Sequence, residues 1–361
     1  MDYKKKYLKY KSKYEFLKMQ FGSALQAEIV DVRLGNLLHR GLPNKGNTCF
    51  LNVVILLLAS INEFTPEMMQ SSISRDQLNE SLYTPADKLG IRSKENKEFL
   101  LYNTVILRDL LLYVTYPDID GGPYTRIKKL MRIPNESPVS TFLRNGVCSY
   151  NKTTGGEALD SFNNIIEKLK LYILLNKLLL FDIITDKSCD PVKELSHTDK
   201  QRIVNNYYLN LQISESPVPY YMGDQIKLFT TPVNIGNEIE ICRPSDYIEV
   251  NVITNTKKYF LINLNRSTDT MDSSRMGKSK ILEFNDINID GKKYSLLGVI
   301  IMIPGKRVNH YVYYYSLKNC IFNDDEEISF TDMYDIQTIF NVSQSLHNFI
   351  ANNGVMFLYN S

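Results

Sequence analysis

The longest apolar run begins just after a polar, glycine-containing turn. In GNTCFLNVVILLLAS, residues 46 to 60, the pattern predicts a turn and then a buried helix. Residues 62 to 150 read as mostly helical with long loops, broken at Pro117, Pro123 and Pro134. From Gly155, GGEALDSFNNIIEKLKLYILL puts Ala158, Phe162, Ile165, Ile166 and Leu169 on one face of an amphipathic helix. LYILLNKLLLFDII reads as a buried helix rather than a span, because Asn176 and Lys177 interrupt it. No apolar run approaches the ~20 residues that a membrane-crossing helix needs. From about Asn205 the pattern changes to strands. NYYLNLQI, DYIEVNVI, KYFLINLN, KKYSLLGVIIMI, NHYVYYYS and GVMFLY are β-branched and aromatic, with turns between them. Helices first and strands later predict an α+β fold, not a doubly wound sheet. No internal repeat is visible. Residues 185 to 256 have the strand content of an extended subdomain but carry no chemical motif.

Composition narrows the function classes. A net charge of +2 over 361 residues creates no global field calling for nucleic acid or membrane. The exception is residues 1 to 22, rich in lysine and tyrosine. There Tyr7, Tyr10, Tyr14, Leu17 and Phe21 form one helical stripe. This stretch reads as an arm for nucleic acid or another anionic surface, as a docking helix, or as a solvated, frayed extension. Its K-Y-L-K-Y-K-x-K-Y opening also resembles, in composition only, the leader of many proteins from large DNA viruses. It lacks the uninterrupted apolar core of a signal peptide. The five cysteines, Cys49, Cys148, Cys189, Cys242 and Cys320, are scattered, with no C-x-x-C pair. That pattern disfavours zinc ribbons and disulfide frameworks. It fits a reducing, cytoplasmic compartment, which would be the host cytoplasm or the virion for a viral protein.

Cys49 is the candidate nucleophile. If Asn47 or Thr48 caps a helix beginning near Cys49, the thiol lies where free N–H groups and the helix dipole favour thiolate. Gly41, Asn44 and Gly46 allow unusual backbone close to the sulfur, and the Asn44 amide is a donor near a developing oxyanion. An inert buried cysteine is the competing reading. A cysteine hydrolase also needs a base. Of the four histidines, His39, His197 and His347 lie in unremarkable settings. His310 starts a strand after an apolar strand and a tight loop. A hairpin from Tyr311–Ser316 to about Asn319–Phe322 returns the chain beside it, so Asn323 can accept from the ring N–H and fix its tautomer. A strand-edge histidine can equally be structural.

At these residues the chain resembles the ubiquitin-specific protease family, papain-like cysteine hydrolases that cleave after the C-terminal glycine of ubiquitin. The family's cysteine box, roughly G-L-x-N-x-G-N-T-C-[FY]-[LM]-N, is met at every fixed position by GLPNKGNTCFLN. YSLLGV and NHYVYY resemble its histidine box, and Phe322-Asn323-Asp324 its third catalytic position. GGEALDSFNNIIEKL aligns on its Q-Q-D-A-x-E-F helix, KYFLINLNR on its L-x-x-x-L-x-R strand, and GVMFLYNS on its closing strand. The likeness covers residues 41 to 361.

The resemblance implies a papain-like fold with thumb, fingers and palm, and a thiol-dependent deubiquitinase acting on ubiquitin and ubiquitinated proteins without a cofactor. Cys49 would be the nucleophile, His310 the general base and then acid, and Asn323 its orienter. Asn44 and the Cys49 N–H would form the oxyanion hole, with Asp324 helping to polarise the site. Glu157 and Asp160 would face basic residues of the ubiquitin tail, and Tyr311 would line the diglycine channel. A basic extension would span 1–35 and a catalytic domain 36–361, divided into thumb (about 41–170), fingers (about 171–256) and palm (about 257–361). Several positions depart from the family. Leu56 replaces a glutamine and Asn309 a glycine, where asparagine tolerates left-handed backbone. Met302 replaces a histidine, Gly155 and Gly156 two glutamines, and Asn319 a tryptophan. The zinc-binding cysteine pairs of the fingers are absent, so no metal is expected. Two other readings stand beside this one: a ubiquitin-binding pseudoenzyme, and a hydrolase for another ubiquitin-like modifier.

Overall fold

A computed structural model describes residues 38–65, 97–115, 124–133, 137–148, 156–189, 202–213, 218–230, 233–234, 247–266, 280–305, 309–329 and 345–361. The basic N-terminal extension lies outside the described residues. Among the described residues, helices come first: α1 (Cys49–Ser60), α2 (Lys97–Thr115), α3 (Tyr124–Met131), α4 (Pro138–Arg144), α5 (Ala158–Lys168) and α6 (Tyr172–Leu178). Strands follow: β1 (Phe181–Cys189), β2 (Arg202–Asn206), β3 (Leu209–Ile213) and β4 (Tyr220–Tyr221). After α7 (Met222–Thr230) come β5 (Val233–Asn234), β6 (Tyr247–Thr254), β7 (Tyr259–Arg266), β8 (Ile281–Leu282), β9 (Asp286–Ile289) and β10 (Lys292–Ile303). The chain ends with β11 (His310–Tyr315), β12 (Cys320–Asn323), β13 (Glu326–Ser329), α8 (Leu346–Asn353) and β14 (Gly354–Asn360).

The large sheet runs β13-β12-β11-β10-β14-β7-β3, with β9 also paired to β10. Among the described residues, its β3–β7 pairing is parallel and its other pairings are antiparallel. Both faces of this sheet are covered, which explains why its central strands read as nearly continuous apolar runs. Tyr311, Tyr313, Tyr315, Ile300 and Met302 pack into one core with α1, α2 and α5. Their neighbours Val312, Val299 and Ile301 pack into a second core with α7 and α8. Helix α1 is buried along its whole length, as expected of a helix that is apolar all round. Its last turn meets the sheet where the Tyr313 hydroxyl donates to Ser60 Oγ at 2.8 Å. Gly298 makes room, since a Cβ there would lie 2.0 Å from that hydroxyl.

A second sheet, β2-β1-β6-β5, is built within residues 181–254. β3, although close in sequence, joins the large sheet instead. One expectation needs correction here. LYILLNKLLLFDII is not one helix: α6 ends at Leu178, and strand begins at Phe181, well before Asn205. The β-branched run after Phe181 finds partners on both edges, Ile183 opposite Val204 and Ile253, and that pairing outweighs local helical spacing. Helix α5 begins at Ala158. Glu157 is its extended N-cap residue, and Asp160 lies in its first turn. Ala158, Phe162, Ile165, Ile166 and Leu169 are all buried together, as their spacing predicts.

Candidate active site

The site begins with the loop before α1. Gly46 (φ 81°) and Asn47 (φ 55°) both take left-handed backbone, which glycine and asparagine adopt most readily. That turn sets Thr48 at the N-cap, but its side chain does not cap the helix. The hydroxyl instead accepts from the Lys45 N–H at 3.0 Å. Asn44 Oδ1 accepts from the Thr48 N–H at 3.1 Å. Cys49 is thus the first residue of α1, 4% exposed. Its thiol points toward the carbonyl of Asn309, 3.9 Å from Sγ, directly before β11.

His310 opens β11, and the β11–β12 hairpin pairs Tyr313 with Phe322. The hairpin turns through a short 3-10 segment ending at Asn319, which is left-handed at φ 48°. A tryptophan would be strained in that backbone, so asparagine at this position fits the local turn. The chain then returns Asn323 to His310, with Oδ1 2.6 Å from Nε2. An amide oxygen accepts only, so this contact places the ring proton on Nε2 and leaves Nδ1 for a second partner. The Cys49 thiol also hydrogen-bonds the ring. It is the strongest influence on the ring: burial lowers the proton affinity, but Cys49, Asn323 and Asp324 raise the pKa to about 9.

Asp324 ties the two sides together. Its carboxylate accepts from Asn44 Nδ2 at 3.1 Å and from Asn52 Nδ2 at 3.1 Å. Burial pushes its carboxyl up, against the opposing pull of Asn44, His310 and Asn52. Its backbone carbonyl lies against Gly41, where a Cβ would sit 1.6 Å from the oxygen. Gly41 is therefore required for close approach, not for a left-handed turn. The Asn44 amide, expected to face an oxyanion, has one of its two N–H groups committed to Asp324.

Tyr311, 2% exposed, donates its hydroxyl to the Glu157 carboxylate across the cleft. Burial, Glu157, Cys49 and Asp160 all raise the pKa of its hydroxyl. Asp160 itself is exposed on α5. Five of the sequence-selected residues, Cys49, His310, Asn323, Asn44 and Asp324, therefore converge on one cluster, with Tyr311 and Glu157 at its edge. Asn309 contributes the carbonyl facing Cys49. Leu56 and Met302, which stand at polar family positions, are core residues. Sequence reasoning gave no role to Asn52. The available signal was a single amide inside an otherwise apolar helix.

Beyond the cluster, a cavity of about 450 Å³ opens where α5 meets both sheets, lined by Asn163, Ile183, Tyr207, Tyr208 and Phe229 among others. Among the described residues, no group of three or more His, Cys, Asp or Glu side chains could hold a metal. Among the same residues, no helix is long and apolar enough to cross a membrane.

No family model matches the chain, and no curated protein matches it. Solved structures do. The SAGA Ubp8/Sgf11/Sus1/Sgf73 DUB module bound to ubiquitin aldehyde aligns with a TM-score of 0.56 at 14% identity, over 90% of this chain and 69% of that one. A Ubp8 variant of the module bound to monoubiquitin aligns with a TM-score of 0.56 at 14% identity, over 91% and 70%. At that identity the likeness is one of fold: the chain has an α+β fold like that of a ubiquitin-specific protease. Nothing in these matches carries the viral likeness of the opening segment.

Proposed function

We propose that the chain is a thiol-dependent deubiquitinase that hydrolyses the bond after the C-terminal glycine of ubiquitin. The observation that carries this reading is His310 held between the Cys49 thiol and Asn323 Oδ1, the latter at 2.6 Å. In the reaction, Cys49 as thiolate attacks the glycine carbonyl. Its N–H and the second N–H of Asn44 receive the oxyanion. His310 then protonates the leaving lysine amine, giving a thioester and a free amine. The neutral ring next takes a proton from water as it attacks, and thiolate and ubiquitin are released. Asn323 orients the ring throughout, and Asp324 polarises the site.

Ubiquitin is the favoured substrate because the fold neighbours include structures bound to ubiquitin aldehyde and monoubiquitin. The Tyr311–Glu157 contact beside Cys49 narrows the cleft, which suits a tail ending in glycine. Asp160 faces solvent to meet basic tail residues, and α5 leads from there to the cavity at Asn163. In this reading α1 to α5 form the thumb, the β2-β1-β6-β5 sheet the fingers, and the large sheet the palm. Their bounds are about 41–170, 171–256 and 257–361, except that β3 joins the palm sheet from within the fingers segment, and the chain works in cytoplasm.

The test is ubiquitin carrying a cysteine-reactive C-terminal warhead, read by intact mass. Wild type is expected to gain one ubiquitin, Cys49→Ala none, and His310→Ala far less. A folded wild-type protein that gains none overturns the reading. Probes built on other modifiers, together with ubiquitin binding by Cys49→Ala, would then separate another specificity from a binding-only role.

A further inference from the structure

Asn52 lies one turn beyond Cys49 on the same face of α1, a helix buried at all twelve positions. Its Nδ2 donates to the Leu42 carbonyl at 3.0 Å and to Asp324 Oδ1 at 3.1 Å. Its own Oδ1 is buried without a partner. An unpaired buried oxygen is unfavourable, so an amide here is explained by what its donors hold. They hold Asp324, whose other oxygen is taken by Asn44 and whose backbone rests on Gly41. The preceding residue, Asn323, holds His310. Asn44 reaches Asp324 from a loop, whereas Asn52 reaches it from the rigid helix that carries the nucleophile.

We propose that Asn52 is a positioning residue: through Asp324 it fixes the Asn323 turn to the Cys49 helix, so that Cys49 and His310 are aligned before substrate binds. The inference rests on reading Cys49 and His310 as nucleophile and base. A residue that acts only by filling the core would change stability. One that sets the Cys49–His310 pair changes the reactivity of the thiol and kcat as well.

The experiment is carbamidomethylation of the full-length chain by iodoacetamide at neutral pH, without ubiquitin. Peptide mapping assigns the product to Cys49, and kcat and KM are measured on a ubiquitin–fluorophore substrate. Cys49 of the folded wild type should alkylate about tenfold or more faster than Cys49 of the urea-unfolded chain at the same pH. Asn52→Leu should lose about tenfold or more of the folded rate, and should lower kcat while KM holds. Asp324→Asn should do the same. The double variant should lose less than about twofold more, because both changes break one chain of contacts.

A folded Asn52→Leu with the wild-type alkylation rate and kcat overturns the proposal, as do losses that multiply in the double variant. If Asn52→Leu does not fold, Asp324→Asn decides alone, since its turn lies outside the helix core; an unchanged rate and kcat there overturn the proposal. Fast alkylation of Cys49 without ubiquitin turnover in wild type would keep the staple and sink the deubiquitinase reading. Turnover with Cys49 alkylating no faster than in the unfolded chain would do the reverse.

Discussion

His310 sits between a thiol and an amide, and that position sets the pH behaviour of the site. Its pKa is raised to about 9, with the Cys49 thiol the first cause and burial opposing it. A base whose folded value lies above its unfolded value stabilises the fold fully below the unfolded value, near 6.5. That contribution is lost as pH rises through about 9. The same deprotonation removes the imidazolium that delivers a proton to the leaving amine. The alkaline limb of kcat/KM is therefore expected near pH 9, measured on a ubiquitin–fluorophore substrate. Asn323 is one of the groups raising the ring, so Asn323→Ala should move that limb to lower pH. It should also slow turnover by about 100-fold, as expected when a reacting group is misplaced by about an ångström. A slowed variant with an unmoved limb would mean that Asn323 orients the ring without tuning it.

At the scale of elements, the sequence was most legible where one physical demand dominates. The run from Cys49 to Ser60 is a helix because twelve consecutive residues are buried, and β10 and β11 are strands because alternate side chains serve two different cores. The hairpin that brings Asn323 back to His310 was readable from turn spacing alone. What was not readable was contact across long stretches of chain. Gly41 looks like a turn glycine in sequence, yet its requirement comes from Asp324, nearly three hundred residues later. Gly41→Ala should force the β12–β13 turn away from α1, because the clash is with backbone and not with a movable side-chain tip. A destabilisation of roughly 1–3 kcal/mol is expected, seen as a lower midpoint in urea. Turnover should fall further than that stability loss explains, since the same turn carries Asn323. Equal stability and turnover to wild type would show that the turn relaxes freely.

Across the whole molecule, the question is what holds the second sheet to the rest. Periodicity missed the start of that sheet because Phe181 follows a leucine-rich helical stretch, and only pairing with β2 and β6 makes it a strand. Its root is aromatic. The Phe181 ring lies 4.7 Å from that of Phe260, which in turn lies 5.8 Å from Tyr294. All three belong to the core on the face of the large sheet away from α1. The attachment is thus apolar burial between two sheets, and its strength should not depend on a metal. Treating the chain with EDTA should leave its melting temperature unchanged, and metal analysis should find no zinc in proportion to protein. Phe181→Ala, by contrast, should cost about 3–5 kcal/mol, the usual range for emptying a buried aromatic site. The denaturation curve reads that loss directly. Iodoacetamide labelling of Cys49 under native conditions should stay as in wild type, because Phe181 packs on the opposite face of the sheet from the cysteine helix. A large fall in melting temperature with EDTA, together with a mild Phe181→Ala, would place the attachment in a metal site and overturn the apolar account.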